Sequence, residues 1–294
     1  MPEHGSICGR DLAFLIVINL IWGANLISSK VGVGQFPPIF FTALRFGSVA
    51  LLLPFLRVHR GQMRSLLIAA ALTGPAAFAL LISGMYLVKD ASMVAIASQM
   101  GVPFSTLLSV WLLGETIHWR RRLGIVLAFG GIMIIGFDPR VFDYWPGLML
   151  VVASCFVGAL GLIFLKRTQD IGALELQAWV AVAGGPALML LSLTMESNQW
   201  GALQMADWRG WSALAFTTLM SSLVAHTGWY YLVNRYPVTS LSPLTLLSPL
   251  FGVFFGVTLL HDHLTSRMLL GGAVTLAGVF IVLLREKRLI DTGT

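Results

Sequence analysis

Acidic side chains and thiols are both scarce in this chain. It carries 13 Asp and Glu among 294 residues, and only two cysteines, Cys8 and Cys155. Two cysteines cannot build a disulfide framework or a four-ligand zinc site, so their expected role is packing. There is no His-Glu-x-x-His, no Gly-x-Ser-x-Gly and no pair of aspartates inside an apolar run, so the commonest hydrolytic chemistries lack their residues. His261-Asp262-His263 has no visible third metal ligand, and neither a metal nor a cofactor is expected. Charged residues of both signs make up 11% of the chain against 57% hydrophobic, with a mean hydropathy of +0.83. That leaves too little polar surface to cover a water-soluble globule. The net charge is +6, but the Lys and Arg residues are scattered among short gaps and form no continuous basic face, so no nucleic-acid partner is expected.

What is present is a series of ten apolar stretches, with nearly every charge confined to the gaps. A helix of about 20 residues rising 1.5 Å per residue matches the roughly 30 Å hydrocarbon core of a bilayer. The expected fold class is an all-α membrane protein. Its spans run Leu12–Lys30, Pro37–Leu56, Ser65–Val88, Ala91–Leu113, Leu123–Phe137, Tyr144–Leu165, Glu175–Met195, Gly210–Leu232, Val238–Leu260 and Met268–Leu284. The first stretch lacks a small-x-small cleavage pattern and reads as a retained span. With the N-terminus in the cytoplasm, thirteen Lys and Arg residues fall on the inside and five on the outside, namely Lys30, Lys89, Arg140, Arg209 and Arg267. The positive-inside rule then puts both termini in the cytoplasm of a multi-pass inner-membrane protein, read as a monomer.

The two halves resemble one another. Tyr86-Leu87-Val88 recurs as Tyr231-Leu232-Val233, Leu113-Gly114-Glu115 is echoed by Leu260-His261-Asp262, Leu123-Gly124 returns as Leu270-Gly271, and Gly131 matches Gly278. Five spans per half is an odd number, so a second copy must enter the membrane from the opposite side. The expectation is two inverted five-helix repeats, residues 1–143 and 144–294, around a central cavity, the geometry of many alternating-access transporters.

Helix breaks in lipid need protein or a wet cavity to satisfy freed carbonyls. Pro103 in span four, with Pro243 and Pro249 in span nine, mark the expected breaks. Ser98, Gln99, Ser242 and Thr245 beside them are candidate cavity groups, although ordinary proline kinks with hydroxyls bonded back to their own carbonyls would give the same pattern. Gly124 with Gly131, and Gly271 with Gly278, lie seven apart on one helix face and suit close packing. Trp22 sits too near the middle of its span to be an interfacial anchor, and could stack on a substrate or pack in the core. Asn25, Phe78, Trp179 and His226 lie at intermediate depth. Tyr86, Trp229, Tyr230 and Tyr231, nearer span ends, fit interfacial anchors as well as contact residues. Arg45 is the one charge well inside a span and must hold a substrate carboxylate, bond carbonyls or snorkel outward. No acid occupies a midplane, so a proton relay would have to use His226; the residues lean toward facilitated diffusion.

The chain resembles the EamA-type branch of the drug/metabolite transporter superfamily. The likeness rests on Trp22-Gly23-x-Asn25, Ala43-Leu44-Arg45-Phe46, and Leu113-Gly114-Glu115 followed by Gly124 and Gly131. Within that branch it is most similar to the bacterial aromatic amino-acid exporters of the YddG type. The resemblance implies ten helices around a cavity and export of amino acids or related metabolites. On that reading Trp22, Phe78, Trp179 and Tyr86 offer apolar and stacking contacts, while Asn25, Ser98, Gln99, Ser242, Thr245 and His226 bond polar ends. Arg45 is grouped with Pro103, Pro243 and Pro249 as a helix-break or gating element, and Glu115 is a turn or gate element. A proton-coupled drug or nucleoside exporter, a membrane-embedded enzyme and a lipid flippase are the alternatives. A fluorescent reporter that matures only in the cytoplasm is expected to light up at either end of the chain, and an alkaline phosphatase fused at either end to stay inactive.

Overall fold

The computed structural model describes residues 7–49, 54, 56–59, 61–88, 94, 97–136, 144–168, 171–259 and 266–291. Residues 50–53 and 55 of expected span two, 91–93 and 95–96 of span four, Lys89, Arg140 and His261-Asp262-His263 lie outside the described residues. Among those described, every regular element is helical.

Helix α1, Gly9–Val33, has Asp11 in its first turn and Lys30 in its last, each at the end of the helix dipole that favours its charge. Helix α2, Pro38–Ser48, opens on a proline at a position where a missing N–H costs nothing. Helix α3 runs Met63–Leu87 and bulges into a π turn over Leu72–Ala76, where Gly74 leaves helical geometry and Pro75 removes a donor. Helices α4, Gly101–Leu113, and α5, Trp119–Gly136, complete the first half.

Helices α6, Trp145–Lys166, α7, Ala173–Met195, and the short α8, Gln199–Met205, begin the second half. Helix α9 starts as Trp208–Phe216, passes through a π segment at Thr217–His226 and ends as Thr227–Arg235. Helix α10 comprises Val238–Leu241, a 3-10 turn at Ser242–Leu246, and Leu247–Leu259. Helix α11 is Ser266–Asp291.

Five helical runs among the described residues are long and apolar enough to cross a bilayer: Gly9–Val33, Met63–Leu87, Trp145–Lys166, Ala173–Met195 and Val238–Phe255. Gly101–Leu113, Arg122–Ile134 and Leu269–Ile281 are apolar but shorter. Leu107, Val126, Leu190, Leu193 and Phe280 stand exposed on the outer surface, while Trp111, Trp145, Trp200 and Trp208 are exposed at or near helix ends. An apolar flank with aromatic rims is the surface a bilayer requires.

Contacts between helix ends divide the bundle into two faces. At one, Tyr236 donates its hydroxyl to Asp11 at 2.7 Å, Arg235 pairs with Asp11 at 3.4 Å, His59 meets Glu175 at 2.6 Å, and Lys166 bonds the carbonyls of Val233 and Tyr236. At the other, the Glu196 carboxylate accepts the Ile39 and Phe40 amides at 2.7 and 2.8 Å, capping the start of α2. There Gln35 and Asp207 exchange two hydrogen bonds of 2.6 and 2.9 Å. The Gln35 amide, followed by the backbone of Arg209 and Gly210, holds the Asp207 carboxyl below the usual range.

Inside lipid, helices gain little from hydrophobic exclusion and associate through close backbone approach. Helices α5 and α11 show this directly. A side chain at Gly131 would strike Thr275 and the Gly271 carbonyl, and one at Gly278 would strike Ala128 and the Gly124 carbonyl. The contact is reciprocal: each helix receives the other's glycine between a glycine carbonyl and the residue four places on, Thr275 in one and Ala128 in the other. The same use of small residues brings α3 against α6, where Gly84 and Gly147 face each other's carbonyls. Gly131→Val is expected to cost about 1–3 kcal/mol, read as a lowered thermal midpoint in detergent, whereas Gly130→Ala, which faces open space, leaves the midpoint unchanged or raised.

Candidate functional site

Four interrupted helices place their irregular backbone around one hollow. The π turn of α3, the π segment of α9, the turn at Gln99–Met100 before α4 and the 3-10 turn of α10 all contribute residues to a cavity of about 420 Å³. Trp22 and Asn25 enter it from α1, Arg45 from α2, Phe78 from α3, His226 from α9, and Ser242 and Thr245 from α10. Ser98 and Gln99 reach it from the turn ahead of α4.

The prolines lie beside this cavity and start helices more than they break them. Pro103 occupies the third position of Gly101–Leu113, and Pro249 the third of Leu247–Leu259, both within a first turn that has amides to spare. Pro243 opens the 3-10 turn. The breaks are the turns that precede Pro103 and Pro249.

The hydroxyls serve both of the roles open to them. Ser98 donates to the Val94 carbonyl at 2.7 Å and Thr245 to the Ser242 carbonyl at 2.7 Å, while Ser105 and Ser242 bond each other at 2.9 Å across α4 and α10. Their oxygens remain acceptors on the cavity wall. Asn25 has its side-chain oxygen buried with no partner.

Aromatic rings form the apolar part of the wall. Trp22 packs edge-on against His226 at 5.5 Å and against Trp229 at 5.7 Å, and Phe78 packs edge-on against Phe46 at 5.1 Å. His226 Nδ1 lies 2.6 Å from the Ser221 carbonyl, which can only accept, so Nδ1 carries the proton. The Trp22 indole N–H, 3.5 Å from the same nitrogen, therefore makes no true hydrogen bond to it. Nε2 is left as an acceptor.

Arg45 is buried, 5% exposed. Its Nε–H donates to Ser222 Oγ at 2.7 Å and Nη2 to Ser221 Oγ at 3.0 Å. The guanidinium carbon stands 5.2 Å from the centre of the Phe78 ring, a cation–π distance. No Asp or Glu is among the residues that line this cavity.

Two expected contact residues are not brought here. Tyr86 is 74% exposed near the C-terminal end of α3, on the outer surface. Trp179 packs against the core and donates its indole N–H to the Arg57 carbonyl at 3.3 Å, away from the cavity. Conversely, Trp229 and Tyr230 are buried cavity residues and not interfacial anchors. The wall also includes Ser248, which the prolines of span nine mark in sequence, and Cys155, together with Thr73, Ser105 and Ser154, which do not stand out there. Gly74-Pro75 in the third span was the signal that could have found Thr73, and Ser221-Ser222 the one for the partners of Arg45.

Glu115 is outside the cavity. Gly114, in the left-handed region at φ +68°, turns the chain out of α4 as glycine permits. The Glu115 carboxylate then accepts the amides of Val238 and Thr239 at 3.1 and 2.9 Å, capping the start of α10. This element is a strut between the two halves. Its counterpart Asp262 lies outside the described residues.

The model of the EamA-like transporter family matches residues 11–137 and 145–284, nearly the whole chain. The chain belongs to the EamA-like transporter family. This EamA-like protein is 27% identical to a protein of Escherichia coli (strain K12) named "Probable amino-acid metabolite efflux pump", over 96% of this chain and 98% of the other. It is 26% identical to the "Uncharacterized transporter YoaV" of Bacillus subtilis (strain 168), over 91% and 94% of the two chains. One crystal structure superposes with a TM-score of 0.78 at 17% identity, covering 95% of this chain and 98% of that one, so the two share a fold. The protein is thus a membrane transporter.

Proposed function

We propose that this protein is an inner-membrane secondary transporter that exports amino acids with aromatic or other apolar side chains, and related small metabolites, by facilitated alternating access. The observation that carries the reading is the cavity: about 420 Å³, within the size range of small-molecule sites, and walled by both halves of the chain. Trp22 and Phe78 present ring faces and edges to an apolar side chain. Arg45, Asn25, Ser98, Gln99, Ser242, Thr245 and His226 present the polar groups. The name of the Escherichia coli relative supports amino-acid metabolites as the solute class.

The architecture behind it is ten membrane-spanning helices in two inverted five-helix units, residues 1–143 and 144–294, with both termini in the cytoplasm. Four features support it. The family model matches each half separately, and α5 and α11 meet through a reciprocal contact. The π turns begin at Leu72 in α3 and Thr217 in α9, and helices restart at Gly101 and Leu247; both pairs keep the spacing of the sequence repeat. Such a pair of half-bundles can rock about a central site.

The absence of an acid from the described cavity lining supports transport without proton coupling, His226 being its one imidazole. In proteoliposomes with a panel of labelled amino acids, flux of aromatic substrates is expected to be equal with and without an imposed pH gradient. Acceleration by the gradient would overturn the facilitative reading and direct attention to His226. Trp22→Ala is expected to weaken aromatic substrates by about 0.5–1.5 kcal/mol, seen as a raised KM, with little change for alanine or serine; equal loss for both would assign Trp22 to packing.

A further inference from the structure

We infer that the feature this cavity recognises is a carboxylate, held by Arg45, and that the ammonium group of an amino acid is not required. The inference rests on the transporter reading above and narrows its substrate class to amphipathic monocarboxylates, amino acids being one kind among them.

The argument starts from the cost of the charge. A guanidinium is always protonated, and placing one inside a membrane protein is expensive unless a counter-charge accompanies it. The two ion pairs formed among the described residues, His59 with Glu175 and Arg235 with Asp11, lie at a bundle end and leave Arg45 out. Two neutral serines hold it instead.

Those serines orient the guanidinium and do not neutralise it. Ser222 gives its own proton to the Thr217 carbonyl at 3.2 Å, five residues back along the π segment, so its lone pairs are turned to Arg45 Nε. Ser221 takes one Nη2 proton. The guanidinium has five donors in a planar fork, and among the described residues Nη1 has no hydrogen-bond acceptor. Phe78 covers one face. What remains is the edge of the fork, on a cavity wall, the geometry that accepts a carboxylate through charge-assisted hydrogen bonds.

Among the described residues the cavity lining holds no acid to pair with a cation. The cavity offers an ammonium group only neutral acceptors, such as the Ser98, Ser242 and Thr245 hydroxyl oxygens, and these do not repay the loss of water around a charge while a fixed positive group stands nearby. A substrate that keeps its carboxylate and apolar body but loses its positive charge should therefore bind as well as the amino acid. One that keeps the amine and loses the acid should not.

The test is calorimetric titration of the purified full-length protein in lipid nanodiscs with five ligands that share one ring. Phenylalanine, N-acetylphenylalanine and 3-phenylpropanoate are expected to bind within a few-fold of one another. Phenylalaninamide and phenethylamine are expected to bind at least about tenfold more weakly, the loss of a desolvated charge pair. A second readout needs no change at Arg45. The Cys155 thiol is on the cavity wall, so in a Cys8→Ser background its reaction with a maleimide should be slowed by the three acids and not by the amide or amine. Arg45→Lys should keep the preference at reduced affinity, and Arg45→Gln should abolish it. Equal binding of acid and amine, or failure of N-acetylphenylalanine where phenylalanine binds, would overturn this inference and leave the transporter reading standing. Binding by none of the five would overturn both.

Discussion

Hydrocarbon offers a polypeptide no hydrogen bonds, and the architecture of this protein follows from where it breaks its own. An unbroken α-helix satisfies its backbone internally, but a π turn, a 3-10 turn or a proline releases carbonyls that lipid cannot solvate. Among the described residues, four such interruptions meet around one interior, at Gly74-Pro75, Thr217–His226, Gln99–Met100 and Ser242–Leu246. Their side chains, Thr73, His226, Gln99 and Ser242 among them, line one cavity, so the polar hollow is the place where the cost of irregular backbone is met. Elsewhere glycine lets the helices touch, as at Gly131, Gly278, Gly84 and Gly147.

The acids whose contacts are described, Asp11, Glu115, Glu175, Glu196 and Asp207, are found at the ends of helices. Glu115 caps the start of α10 and Glu196 the start of α2, each accepting two backbone amides from a segment of the other half. Hydrogen bonds to a charged acceptor contribute about 1.5–3 kcal/mol each, and the helix dipole adds to them. Charge is therefore used to tie the halves together at both faces, while the middle keeps a single unneutralised guanidinium. A carboxylate at mid-depth would pair with Arg45 and leave nothing for a solute.

Much of this was legible in the amino-acid order. Apolar runs of bilayer length separated by short charged gaps announce a membrane bundle, because a helix in lipid must hide charge over its whole length. Gly124, Gly131, Gly271 and Gly278 could be read as a packing face from their spacing alone. Trp22, Asn25, Ser98, Gln99, His226, Ser242 and Thr245 could be singled out as polar or aromatic residues where neither lipid nor interface explains them. Tyr86 and Trp179 looked the same by those criteria, yet one faces outward and the other bonds a loop carbonyl. Depth along a span can be counted, whereas the face of the helix that looks inward depends on its neighbours.

Composition and spacing by themselves determined that the chain lives in a bilayer, and the quoted motifs pointed to the family to which it belongs. Periodicity and hydropathy are local properties, and a bilayer tests them one helix at a time. Only the tertiary structure decided that Arg45 meets Ser221 and Ser222, that Glu115 caps a helix more than a hundred residues away, and that Trp229 and Tyr230 turn into the core. These are contacts between segments remote in sequence. Their geometry is set by how several helices pack at once, and no single stretch of residues carries that information.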